Sequence, residues 1–453
     1  MAASASSSSS SDQAVTDHLD GAAGAGAWHI KVIVEPSPLT YMSGYANRFR
    51  ELFRYLKEVG DSVEIITTEC VVKDDKLLPK SHLGFPIIYT AGFRLPNYPI
   101  MSISCDYWLL SWKIPRRLIR RRPDLIHVTS PGMFIMWTAL WARLLQVPLL
   151  ISYHTHLPVY VHSYVPRWIC RGLLLERLIW CLIRCFHSLA DVTVVTSTAL
   201  QEDFRRHGIA GVQLWPKGID TTTFHPQRAT KEWRNRCLNK NSITTALAAE
   251  AETQDDNDDK CILLYVGRLA VEKRLHDLHK VMHELPKQYH LAIVGKGPYE
   301  GQLKSLFADC RDRVTFMGPL YGPDLQAVYA SADIFVLPSD SETLGFVVME
   351  SMASGVPVVA ARAGGIPDMV QDGINGYLVS VGDVDEYVRA IQKMGVHHAT
   401  DREAMGKRAR AIAETWTWDE SMSVLRNQLY PMALQNFRTR LEQRIWRFLT
   451  WQK

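Results

Sequence analysis

Two cations and two carboxylates in the second half of the chain have the types and spacing to hold a diphosphate and a polyol. Val266-Gly-Arg-Leu-Ala-Val-Glu-Lys273 follows a short apolar run, which places Arg268 and Lys273 at the carboxyl end of a predicted strand. Gly267 leaves room for a ligand to approach the backbone. A departing diphosphate carries negative charge that a metal or an Arg/Lys clamp can stabilise. Taken alone, the same element also reads as a solvated loop with surface charges. The carboxylates lie in Glu342-Thr-Leu-Gly-Phe-Val-Val-Met-Glu350. Thr343-Leu-Gly345 should open a helix, and N–H groups at a helix start can hold phosphate. Glu342 then sits at the mouth of a cleft, where it can grip sugar hydroxyls, or serves only as a helix-start charge. Glu350 lies about two turns further along the same face. There it can accept both hydroxyls of a ribose, or it is a surface residue. Met349 and Met352 make its surroundings apolar, so the carboxylate needs a partner. Ala363-Gly-Gly-Ile-Pro-Asp368 makes a fixed loop at the same sheet edge and by itself is an ordinary turn.

The first half offers two more segments. Pro38-Leu-Thr-Tyr-Met-Ser-Gly-Tyr45 precedes a helix, and Gly44 at its start can face a phosphate. Ser152-Tyr-His-Thr-His-Leu-Pro158 follows a buried strand and brings His154 or His156 towards a cleft. A lone histidine is more often structural, but two at one strand end favour a site.

The elements that must position these residues alternate. Strands are predicted at His29–Glu35, Ser62–Thr67, Leu125–Val128, Leu149–Tyr153, Asp191–Thr196 and Leu214–Lys217, with a helix at Arg48–Val59 ended by Gly60. After Gln227–Lys260, a polar stretch with an acidic run that reads as a mobile insertion or linker, a second series begins. Its strands are Ile262–Val266, His290–Val294, Arg313–Phe316, Ile334–Pro338 and Pro357–Ala361. Thr415–Lys453 is helical in pattern. The expected fold is α/β, with two Rossmann-like doubly wound domains and a cleft between them. Residues 1–27 are expected to be a disordered leader, 28–218 the first domain, 219–260 the linker, 261–418 the second domain, and 419–453 a closing helical segment.

Composition bounds the reading. The chain has 453 residues, 47% hydrophobic and 22% charged, with a net charge of +4. Two domains suit that length. So weak a basic balance does not indicate nucleic-acid binding. Arg116, Arg117, Arg120, Arg121 and Arg122 form one cluster, and Arg438, Arg440, Arg444 and Arg447 another; each reads as a solvated face or as a contact for anionic lipid. The eight cysteines show no CxxC and no His/Cys ligand spacing, so no metal site is expected, and Cys181 and Cys185 read as core or lipid-side thiols. No run is apolar and long enough to span a bilayer. The hydroxylated start resembles a transit peptide but lacks arginine.

In this order, from about Lys31 to Trp418, the motifs resemble the family 4 retaining glycosyltransferases, which have the GT-B fold. That resemblance implies a C-terminal helix that returns to the first domain. It implies that Arg268 and Lys273 bind the donor diphosphate, that Glu342 contacts the donor sugar and Glu350 the ribose, and that Gly44 and His154 face the reacting centre. The implied catalytic set is His154, Arg268, Lys273 and Glu342. The donor set adds Gly44, Gly267, Gly295, Thr343, Leu344, Gly345 and Glu350, and the acceptor side is Tyr41, Ser43, Tyr45 and His156. No metal or other cofactor is implied. Ser37–Phe49, Ser152–Tyr160, Trp215–Asp220 and Ser339–Gly345 are similar to the sulfolipid-forming members, which implies UDP-sulfoquinovose as donor and diacylglycerol as acceptor. Other lipid glycosyltransferases using UDP-glucose, UDP-glucuronate or GDP-mannose are the alternative. A non-catalytic nucleotide-sugar-binding protein would be expected to lose Arg268, Lys273 or Glu342, and a phosphorylase-like or epimerase-type enzyme would need a pyridoxal lysine or another carboxylate array. A lipid acceptor demands peripheral contact with a membrane, with Tyr107–Arg122, Trp168–Phe186 and Arg438–Trp451 as candidate segments, at a plastid envelope or the cytoplasmic face of another membrane.

Overall fold

Strands of a parallel sheet covered on both sides are apolar throughout, and such runs found both halves of this molecule. The computed structural model describes residues 26–40, 44–69, 78–95, 98–104, 116, 119–159, 173–239 and 260–451. The first sheet contains His29–Val34 (β1), Ser62–Glu69 (β2), Ser81–His82 (β3), Phe85–Leu95 (β4), Tyr98–Ser104 (β5), Leu125–Ser130 (β6), Leu149–Tyr153 (β7), Val192–Val195 (β8) and Val212–Leu214 (β9). Their order is β3-β4-β2-β1-β6-β7-β8-β9, with β5 on β4. Only β3 and β5 pair antiparallel, each with β4. The second sheet contains Cys261–Val266 (β10), Tyr289–Val294 (β11), Val314–Gly318 (β12), Ile334–Leu337 (β13), Val358–Ala361 (β14) and Gly376–Val379 (β15). It runs β12-β11-β10-β13-β14-β15, all parallel.

The strand order turns back on itself between β1 and β6 and again between β10 and β13. Loops diverge at such a point and leave a crevice at the carboxyl ends of the strands. The sequence motifs sit there: the Gly267–Lys273 loop leaves β10, and the loop to Glu342 leaves β13.

The helix Gly44–Glu58 buries Ala46, Phe49, Leu52, Phe53 and Leu56, the three-to-four spacing of one helical face. Gly60 follows it at φ +82°, the left-handed conformation in which glycine commonly ends a helix. The chain returns through Trp418–Val424, a π-turn at Leu425–Leu429, and Tyr430–Trp451. Met422, Leu425, Leu429, Tyr430 and Ala433 join Val32, Phe49 and Trp215 in one first-domain core. Arg426 donates to both oxygens of Asp61, at 3.0 and 2.9 Å, and both side chains are buried. The two doubly wound domains and the returning helix match the predicted architecture.

Several expectations need correction. The first part of the stretch 227–260 is not a linker. Its helix Lys231–Cys237 sends Trp233 and Cys237, with Leu238 after them, into the second core, so its apolar positions were hidden among polar neighbours; 240–259 lie outside the described residues. The first long helix begins at Gly44, not Arg48. Strands β3, β4, β5 and β15 were not predicted; β3 and β15 are short, β5 pairs only with β4 among the described strands, and β4 mixes polar with apolar residues. Cys181 and Cys185 are exposed rather than in the core.

Candidate functional site

On the second-domain wall, two pairs of backbone segments approach closely because side chains are missing. A Cβ on Gly295, whose φ is +142°, would overlap the carbonyl oxygen of Gly267, and one on Gly364, at φ +52°, would overlap that of Glu342. Gly365 N–H donates to the Glu342 carbonyl at 2.7 Å. The paired glycines that looked like an ordinary turn therefore brace the backbone of Glu342. The Tyr265 hydroxyl donates to the Arg268 carbonyl at 3.0 Å and fixes the other loop.

These braces bring cation and carboxylate together. Lys273 Nζ lies 2.5 Å from Glu342 Oε1, each side chain 13% exposed. Residues 69 apart in sequence thus meet in one ion pair. Gly345, at φ +84°, leads into the helix Phe346–Ala353. The helix starts later than predicted. Thr343 and Leu344 precede it: Leu344 is buried, and the Thr343 carbonyl accepts from Thr196 Oγ1 of the first domain at 3.0 Å. Glu350 lies inside the helix, and the partner its apolar surroundings demand is the Tyr329 hydroxyl, which donates to Oε2 at 2.8 Å. Burial pushes the Glu350 carboxyl up to about 7, opposed by that hydrogen bond.

The imidazoles of the first-domain wall are neutral. Gly44 is pressed against the Phe346 ring, which a Cβ would overlap; its role here is to let the two domains touch, and no phosphate is needed to explain it. The Tyr45 hydroxyl donates to the Glu35 carbonyl at 3.2 Å, and its ring meets His154 edge-on at 5.1 Å. His154 Nε2 is 2.9 Å from Ser152 Oγ. Ser152 Oγ is 2.8 Å from His127 Nε2, and His127 Nδ1 is 3.0 Å from the Tyr430 hydroxyl. The buried Tyr430 hydroxyl must give its proton to a neighbour, and His127 Nδ1 receives it. His127 then donates from Nε2 to Ser152, and Ser152 donates to His154 Nε2. On this assignment His154 carries its proton on Nδ1. Burial, and then Arg48, hold His127 down to about 3, and the same two causes with His127 itself hold His154 well below the usual histidine range. Both imidazoles are neutral at physiological pH.

Arg48, Ser152, His127 and Tyr430 were missed by sequence reasoning. Arg48 is buried over the Trp215 ring at 4.1 Å and donates to the Trp215 carbonyl at 2.7 Å and to that of Pro216. Burial brings its guanidinium down to about 9. Its signal was an arginine inside the apolar face of the first long helix; nothing local marks Tyr430. His156, expected beside the acceptor, lines a pocket with Trp180, Asp203, His207 and, from the second domain, Asp340, a carboxylate close enough to Lys273 to feel its charge. Tyr41 and Ser43 lie outside the described residues. Contrary to the expectation of no ligand spacing, His279, His283, Asp309 and Cys310 come together on the second domain.

The two domains meet around this crevice. Thr198 donates from N and Oγ1 to the Asp368 carboxylate, and Lys217 Nζ donates to the Asp368 carbonyl. A cation–carboxylate pair thus stands at one strand-order reversal, and a neutral imidazole follows β7 in the other domain.

Residues 42–223 match the family described as Glycosyltransferase Family 4, and residues 249–412 match Glycosyl transferases group 1. Sulfoquinovosyl transferase SQD2 of Arabidopsis thaliana is 38% identical over 89% of this chain and 74% of its own length. A GDP-mannose-dependent alpha-mannosyltransferase of Corynebacterium glutamicum is 29% identical over 79% of this chain and 78% of its own. Among solved structures, sucrose-phosphate synthase from Thermosynechococcus elongatus has a TM-score of 0.67 at 23% identity, covering 89% of this chain and 98% of its own. Anabaena HepE in complex with UDP and glucose has a TM-score of 0.66 at 16% identity, covering 89% and 99%. With its two GT-B domains, its matches in both halves and that degree of identity, the chain belongs to the family 4 glycosyltransferases.

Proposed function

We propose that this glycosyltransferase moves sulfoquinovose from UDP-sulfoquinovose to diacylglycerol with retention of configuration. The observation that carries the reaction chemistry is the Lys273–Glu342 pair, formed by the loops that leave β10 and β13. The choice of sugar and acceptor is supported by the similarity to the Arabidopsis sulfoquinovosyl transferase. In this reading UDP lies on the second domain, with Glu350 accepting from the ribose hydroxyls and Glu342 from the sugar. On donor binding Lys273 exchanges its carboxylate partner for the diphosphate. The acceptor hydroxyl oxygen forms the new bond to the anomeric carbon as the bond to the β-phosphate oxygen breaks. The hydroxyl proton passes to the departing diphosphate, whose charge Arg268 and Lys273 hold. No carboxylate forms a bond to the sugar. Neutral His154, with its proton on Nδ1, offers a hydrogen bond without adding charge.

No described helix is long and apolar enough to cross a membrane, so the acceptor must be met at a surface. Leu140 and Leu144 on the helix Phe134–Leu144, and Leu178 and Leu182 on the helix Leu173–His187, are exposed. Arg143 donates from the first of these helices to the Ser188 carbonyl just past the second. Apolar side chains beside arginines support peripheral contact with anionic lipid, at a plastid envelope in this reading. Tyr107–Arg122 lies largely outside the described residues.

The test is a donor panel on diacylglycerol vesicles with mass detection of the product lipid. UDP-sulfoquinovose should give sulfoquinovosyl diacylglycerol, well ahead of UDP-glucose, UDP-glucuronate and GDP-mannose. Product from GDP-mannose alone would favour the second reading, which the similarity to mannosyltransferases supports. Turnover without lipid dependence would remove the membrane part.

A further inference from the structure

Away from the crevice, the helix Leu275–Glu284 carries His279 and His283 one turn apart, on one face. The segment Phe307–Arg313 brings Asp309 over that face. His279 Nε2 lies 3.1 Å from each Asp309 carboxylate oxygen, and His283 Nε2 lies 3.0 Å from Oδ2. The two imidazole Nε2 atoms are themselves 3.2 Å apart. Three donor atoms of two chemical types therefore converge with mutual separations of 3.0 to 3.2 Å. Hydrogen bonding alone explains this poorly. If each imidazole gave an N–H to Asp309, two like N–H dipoles would lie side by side at 3.2 Å. If the imidazoles shared a proton, one of them would face the carboxylate with a bare lone pair.

A divalent ion at the centre turns all three into lone-pair donors. Tetrahedral zinc with bonds of about 2.0–2.1 Å has ligand-to-ligand edges of about 3.3 Å, and the three edges here are close to that. Two neutral imidazoles and one carboxylate are the borderline N/O set that zinc prefers over magnesium or calcium. The edge-on contact of His279 with buried Phe307, at 5.3 Å, fixes one ring.

We propose that His279, His283 and Asp309 form a zinc-class site, with water completing the coordination. Cys310 stands behind it, buried, with its thiol towards the Phe307 carbonyl and held up to about 11 by burial and by Asp309; it is not a ligand. The site lies at the far end of the helix that follows Lys273, roughly 15 Å along the axis. The ion takes no part in sugar transfer. It fastens the last turn of that helix to the segment leading into β12, and so stiffens the support of the clamp.

The full-length protein, stripped with chelator and dialysed, is titrated with zinc by calorimetry and then melted. The expected result is one ion bound per chain at micromolar or tighter affinity, with the unfolding temperature raised when zinc is saturating. His283→Ala, at a position 46% exposed, should fold as wild type without zinc and bind zinc about tenfold or more weaker. Asp309→Asn should behave alike, and Cys310→Ala should bind as wild type. Identical zinc isotherms for wild type and His283→Ala would overturn the site. Loss of binding in Cys310→Ala would overturn the ligand assignment.

Discussion

The two walls of the crevice solve different electrostatic problems. The second-domain wall pairs its charges: Lys273 and Glu342 form an ion pair 2.5 Å apart. The first-domain wall keeps its imidazoles uncharged: burial, and then the Arg48 cation, hold buried His127 and half-buried His154 neutral among Tyr45, Phe49 and Trp215. A paired cation can exchange its partner for a diphosphate at little desolvation cost, whereas a buried neutral imidazole can only be placed. One wall stabilises a leaving group; the other aligns what attacks it.

The comparison can be broken in four ways. Lys273→Ala and Arg268→Ala should have the largest effect, each lowering kcat/KM by about 100- to 1000-fold and weakening UDP in parallel. Folded variants with wild-type turnover would remove the clamp from the mechanism. His154→Ala should lower kcat by about 10- to 100-fold while UDP affinity, measured by calorimetry, stays within about twofold. Equal losses in both would mean that the walls do not divide the work. Tyr430→Phe removes the proton that sets the His127–Ser152–His154 direction. It should cost about 1 kcal/mol of stability and lower kcat several-fold without touching the UDP Kd; histidine nitrogen NMR should then show His154 losing its single tautomer.

The smallest effect concerns Glu350, whose folded carboxyl is raised to about 7. A raised folded value gives stability that is complete below the unfolded value of 4.5 and is lost as pH rises through about 7. Wild type should therefore lose melting temperature over that window relative to Glu350→Gln. Uridine, which has no phosphate to titrate, should bind wild type more tightly as pH rises through about 7, because the ionised carboxylate accepts from the ribose hydroxyls. A flat uridine profile would take Glu350 out of the ribose site.

The charged wall was largely legible because its residues sit in short motifs next to uniformly apolar strands. Arg268, Lys273 and Glu342 could each be placed at a strand end by counting along the chain. The neutral wall was half legible. His154 stood out in its loop, but what sets its protonation comes from Tyr430, 276 positions later in the numbering and brought in by the returning helix. Side chains that act through burial leave no spacing to count. Trp233 and Cys237 were lost in a polar stretch because composition averages away a single buried helical turn. The His279/His283 spacing was visible but meant little until Asp309 arrived from another segment.

The backbone crosses between the domains at two places, near Gly218 and near Trp416, and these crossings are bonded to each other: Ile219 N–H donates to the Trp416 carbonyl at 2.8 Å. The Trp418 side chain rests against Gly218, where a Cβ would crowd it. Two straps fastened side by side permit swinging about the line they share and resist sliding, since a slide would shear that bond and drive the indole into the neighbouring strap. The molecule therefore has one easy way to open. In the arrangement seen here, Gly44 is seated against Phe346.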